Sequence, residues 1–241
     1  AQINARNLTV IAGRNDVNAQ TLKTISRADD GSARPQLAID SSALGGMYAG
    51  AIKLVGTEAG VGVRLAGTLA ASGGDIQLDA NGHLSMAQAS ASGAVNIKAG
   101  SLDAQGTVYA GTHLDVQATA GLNNQKSLAA RDSITLSSGG QLTNDGIIEA
   151  GVNVDSSRNT DGDVHITAQN LTNTNASIIA SRTLTTNAKT LNNQGGTLNA
   201  GQLARIHAGS LDNQNKGRVL SNGSLDLKAD RLLNSKGLVS A

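Results

Sequence analysis

"SSALGGMYAGAIKLVGTEAGVGVRLAG", residues 41–67, sets glycines between alternating runs of Leu, Ile and Val. Its two halves, "MYAGAIKLV" and "GVGVRLAG", alternate apolar and other residues with the period of a strand that buries one face. Gly45, Gly46, Gly50, Gly56, Gly60, Gly62 and Gly67 punctuate them. Glycine either takes positive φ at a sharp corner or lets neighbouring backbones approach closely. A dinucleotide-binding fingerprint is the competing reading. It fails because Leu65 stands where a third glycine is needed after Gly60 and Gly62, and no helical periodicity follows. The stretch reads as strands turned at tight corners.

The rest of the chain repeats that texture on a fixed ruler. A small residue followed shortly by Leu recurs at Leu102, Leu122, Leu142, Leu171, Leu191, Leu211 and Leu232, with successive spacings of 20, 20, 29, 20, 20 and 21. Before the anchors lie short alternating segments: "VNIKA" from Val95, "LDVQA" from Leu114, "ITLSS" from Ile134, "VHITA" from Val164 and "LDLKA" from Leu225. The units at Leu184 and Leu203 keep the period but blur the alternation. A twenty-residue unit of short strands cannot bury its own apolar face, whereas identical units stacked in parallel register can. The expected fold is all-β, a right-handed parallel β-helix (solenoid) of about 20 residues per coil, the hand following from the crossover rule. At about 4.8 Å per coil, about twelve coils would make a rod of roughly 55–60 Å.

A second register agrees. Two residues after successive anchors stand Asn124, Asn144, Asn173, Asn193 and Asn213, and Asn234 joins them once the extra residue in the last spacing, which ends in "LLN", is allowed. Amides stacked at strand spacing satisfy one another up and down a column, so a structural asparagine ladder is expected, beginning after the coil that carries Ala104. The single long spacing assigns a solvent loop to residues 152–163. The polar "SRADDGSARPQ" assigns another to residues 26–36. Residues 1–40 are expected as lead-in coils, 41–67 as a glycine-rich block of the same solenoid, and 68–241 as further repeats, all in one continuous domain.

Composition fits a thin, regular core: 39% of the 241 residues are apolar, yet Phe and Trp are absent and only Tyr48 and Tyr109 are aromatic. A formal net charge of +1, with Lys and Arg scattered, leaves no footprint for nucleic acid. No apolar run approaches the roughly 18 residues of a membrane span.

The residues 43–67 closely resemble a block of filamentous haemagglutinin and contact-dependent growth inhibition exoproteins, adhesins exported by two-partner secretion in Gram-negative bacteria. "LTVIAGRNDVN" looks like the approach to that block, and "LNNQGGTLNAG" and "LDNQNKGRVLSNGSLDLKA" are similar to haemagglutinin repeats, so the resemblance covers essentially the whole chain. It places the chain just after the N-terminal secretion domain, at the start of a long extracellular shaft. It implies a secreted or cell-surface protein whose export signal lies outside this stretch and which leaves through a dedicated outer-membrane transporter. Receptor-binding and toxin regions would lie far downstream. A chain without cysteine suits such transit.

Some parallel β-helices act on polysaccharides, using carboxylates gathered on one outward face. Here the outward centre of the alternating strands reads Gln77, Asn96, Asp115, Thr135, His165 and Asp226, with no neighbouring acids, while Asp103, Asp132, Asp145, Glu149 and Asp212 fall at other phases. The histidines, His83, His113, His165 and His207, share no offset that would gather a metal. "NTDGD", residues 159–163, lacks the calcium-binding nonapeptide repeat and the closing Glu of an EF-hand loop. No catalytic residue, cofactor or metal is therefore assigned. The expected role is a monomeric shaft that projects distal regions, with direct binding of a host-cell or bacterial receptor or glycan through the two loops as the alternative. A β-helical polysaccharide-active enzyme is the third reading.

Overall fold

In a computed structural model describing residues 1–241, the alternating segments lie one above another. The chain is all-β, with twenty-two strands and no helix, and twenty of the strands form one continuous parallel sheet wound into a solenoid. Each coil has three faces. On the first, residues 76–79 pair with 95–98, 114–118 stack on 95–99, and 134–138, 164–168, 184–188, 204–208 and 225–229 follow in register. The second face carries the leucines: Leu84, Leu102, Leu122, Leu142, Leu171, Leu191, Leu211 and Leu232 are successive partners. The third face runs from residues 2–5 through 46–49, 68–71 and 107–110 to 238–240.

The period exists because every coil must close the same circumference. Inward positions are filled mostly by Leu, Ile, Val, Met and Ala, and 48 buried side chains make one uninterrupted core. Large rings are unnecessary, since facing walls are close and identical layers repeat. Thr186 is one of the inward positions that depart from this pattern. It is fully buried, in register between Ile166 and Ile206, and its hydroxyl has no hydrogen-bond partner. Thr186→Val keeps the shape and removes an unmatched polar group, and is expected to raise stability by about 1 kcal/mol in urea unfolding.

The solenoid makes about ten turns, two fewer than the period suggests, because two excursions leave the coil. The first begins at Gly13, earlier than the polar run at 26–36 implies: Asn15–Val17 and Thr24–Ser26 form an antiparallel hairpin outside the main sheet. Arg14 ties it down, donating from Nη1 to Asp29 at 2.8 Å and to Asp30 at 2.7 Å, while its Nε lies 3.4 Å from the well-covered Glu58 carboxylate. The second excursion contains an antiparallel bridge from Val152 to Arg158, after which the strand Asp163–Thr172 resumes the coil.

The glycine block works mainly by close approach. Only Gly60 among its seven glycines has positive φ, +77°, while a Cβ at Gly50 would lie 2.6 Å from the Arg6 carbonyl of the preceding coil. The expectation of positive φ at corners is met instead at Asn175, Gly195, Asn215 and Lys236, which turn the later coils.

Candidate functional site

The asparagines predicted as a ladder are brought together at the corner between the second and third faces. Asn124, Asn144, Asn173 and Asn193 each donate from Nδ2 to the Oδ1 of the next, at 2.7–2.8 Å, and Asn213 donates to Asn234 at 2.7 Å. The same Nδ2 groups reach backbone carbonyls across the corner, such as Ile147 from Asn124 and Thr197 from Asn173. All but Asn234 are fully buried, which leaves a ligand no access to them. The column starts where Ala104 stands above Asn124, and the Asn124 Oδ1 is without a donor.

The outward column of the first face is likewise in register. Gln77, Asn96, Asp115, Thr135 and His165 are successive partners, and Thr185 and Arg205 link His165 to Asp226. Three of the remaining acids are engaged separately. Asp103 accepts from Asn123, Gln105 and Gln125, Asp212 from Gln194, and Asp132 from Arg131. His207 Nε2 lies 3.1 Å from Asp226, whose carboxyl is held below the usual range by that contact, with a further contribution from nearby Lys228. No group of three or more His, Asp or Glu side chains is gathered as metal ligands. Within the "NTDGD" run, Asp163 is held by Arg182, from Nε at 2.9 Å and Nη2 at 2.5 Å, and that guanidinium lowers its pKa.

The loop of residues 152–158 overhangs the third face on two pins. Tyr109 donates its hydroxyl to the Val152 carbonyl at 3.0 Å. Arg158 grips Glu149 from Nε at 2.8 Å and Nη2 at 3.0 Å. Glu149 is buried beneath the loop, so Arg158→Ala strands its carboxylate, and a loss of about 1–3 kcal/mol is expected in thermal or urea unfolding. The double variant with Glu149→Gln should recover part of it, and purely additive losses would show that the pair is not coupled. The sequence shows the loop as a surplus of length but gives no sign of these pins, because Tyr109, Glu149 and Arg158 meet only once the coils are stacked.

Two family models match the chain: the TPS secretion domain over residues 1–86, and the haemagglutinin repeat over residues 90–146, 149–202 and 179–241. The first match corrects the expectation that the chain begins after the secretion domain, since the change from one to the other falls within it. The chain is 30% identical to the 16S rRNA endonuclease CdiA of Enterobacter cloacae subsp. cloacae over 253 residues, covering 100% of this chain and 8% of that protein. It is 38% identical to a toxin CdiA of Escherichia coli over 215 residues, 88% of this chain and 6% of the relative. A toxin CdiA of Yersinia pestis is 50% identical over 84 residues, 35% of this chain and 2% of that protein. The chain thus spans less than a tenth of the length of these relatives. No solved structure matches it.

Proposed function

From the premise that the chain belongs to the haemagglutinin-repeat family, we propose that it is the stretch of a two-partner-secreted growth-inhibition exoprotein in which the secretion domain passes into the extracellular shaft. Residues 1–86 engage the outer-membrane transporter during export, and the later coils carry distal receptor-binding and toxin regions away from the Gram-negative cell surface. The nuclease activities for which relatives are named belong, on this reading, to parts of those proteins outside the matched stretch. The chain works as a monomer, since the interior strands of the solenoid are paired on both sides within one chain.

The observation that carries the reading is the continuous strand pairing across the junction, which takes up one shift of register between Leu65 and Thr68. Residues 68–71 pair with 88–91, Leu84 stacks on Leu102, and the core runs on beneath both. A seam there would be a hinge. Its absence suits a rod that transmits position from base to tip.

Secretion through the cognate transporter tests this. Excising residues 183–202 removes one whole coil and brings Leu203 to the place of Thr183, its in-register partner, so the shaft closes up about 4.8 Å shorter. Export of the shortened protein is expected to match the parent, whereas removal of residues 1–86 should abolish it. Undiminished export without residues 1–86 would refute the assignment.

A further inference from the structure

The only two aromatic residues of the chain stand on one outward column. Tyr48 pairs with Ala70, Ala70 with Ser90 and Ser90 with Tyr109, so the rings are three coil steps, roughly 14 Å, apart with small side chains between them. Each end is shaped. A Cβ at Gly46 would lie 2.8 Å from Tyr48 Cε2, so that glycine lets the ring lean back over the sheet. Tyr109 is fixed through its hydroxyl to the overhanging loop. From Tyr109 a groove of about 750 Å³ runs over Ser92, Ser90, Ser72 and Ala70, and Ala70 is the in-register neighbour of Tyr48. The loop side presents Val154, 86% exposed, together with Asn153 and Asp155, and Arg131 lies at the rim.

We infer that this groove binds a neutral oligosaccharide of about three sugar units laid along the rod, one coil step being close to the length of one pyranose repeat. A tyrosine ring offers an apolar face to the C–H face of a pyranose and a hydroxyl at its edge. The floor is built from small Ala and Ser side chains. The strands beneath it are paired on both sides, so a peptide has no sheet edge to extend. Arg131 and Asp155 contribute one charge of each sign, which gives no net attraction for a polyanion, and with the Asn153 amide they supply the donors and acceptors that sugar hydroxyls require. The site sits on the third face and makes no use of the ladder or the transporter.

The test uses the whole chain. With no tryptophan present, tyrosine fluorescence reports only on these two rings. Maltotriose, cellotriose and chitotriose are titrated against it, alongside an array of neutral, sialylated and sulfated glycans. Saturable binding of a neutral glycan of three or more units is expected, weakened about tenfold or more by Tyr48→Ala and by Ser90→Leu, which fills the floor. Both positions are on the surface, and an unchanged melting temperature for each variant separates loss of the site from loss of the fold. Binding confined to charged glycans, no binding of any neutral glycan, or affinity indifferent to both substitutions would overturn the proposal. Normal export accompanied by any of those results would leave the shaft reading standing.

Discussion

Replacing Asn173 with alanine is expected to cost about 2–4 kcal/mol of unfolding free energy, because the side chain serves neighbours on both sides of its coil. Its Oδ1 accepts from Asn144 at 2.8 Å, and its Nδ2 donates to Asn193 Oδ1 at 2.8 Å and to the Thr197 carbonyl at 3.1 Å. Alanine removes the side-chain donor from the Asn193 Oδ1 in a fully buried corner that water does not reach. The ladder is also polarised. Every amide donates toward the C-terminal end, from Asn124 to Asn234, so the dipoles align and each bond strengthens the next. Asn234→Ala supplies the control, since that residue is half-buried at the end of the column and accepts one bond from within it. Urea unfolding of the two variants decides the matter: equal losses would show that the column contributes nothing beyond its separate members.

Residues that repeat with the coil are the ones the sequence makes legible. Leu102 through Leu232 and Asn124 through Asn234 recur because a parallel stack places the same environment at every level, so that a one-dimensional pattern records a three-dimensional contact. Features that occur once leave no such trace. The hairpin of residues 15–26 is short and polar, and its strands pair antiparallel outside the main sheet, so nothing in the ruler announces it. The strand His113–Asn124 runs from the first face onto the second without a break, and the corner within it carries no proline or left-handed glycine to mark it. Tyr48 and Tyr109 share a column, but the early coils differ in length, and the alignment emerges only when Ala70 and Ser90 are seen between them. The acids show the converse. Their scatter in sequence is preserved in space, where Asp103, Asp132 and Asp212 each find amide or guanidinium partners instead of one another.

Leu142→Ala should be the most damaging single truncation in the leucine column, at about 2–5 kcal/mol. Leu142 is fully buried, with Leu122 and Leu171 as its in-register neighbours, both almost completely covered. The spread of such costs depends on how far the surroundings collapse into the space left, and here they cannot collapse far. The coils above and below are held at strand spacing by backbone hydrogen bonds on all three faces, so a missing isobutyl group remains a cavity. Its position adds a second consequence. Leu142 lies in the coil interrupted by the 152–163 excursion, so weakening it lowers the coupling between the coils on either side. In a stack whose stability is a sum of nearest-neighbour terms, that divides one cooperative unit into two. Urea unfolding should therefore broaden as well as shift, and hydrogen exchange should show residues 163–241 opening independently of residues 46–124. Leu232→Ala, at a position 44% exposed in the last coil, should change stability by less than about 1 kcal/mol and leave the transition sharp. A Leu142→Ala protein that unfolds as sharply as the parent would mean that the coupling runs through the backbone ladder and the asparagine column, with the leucines contributing burial alone.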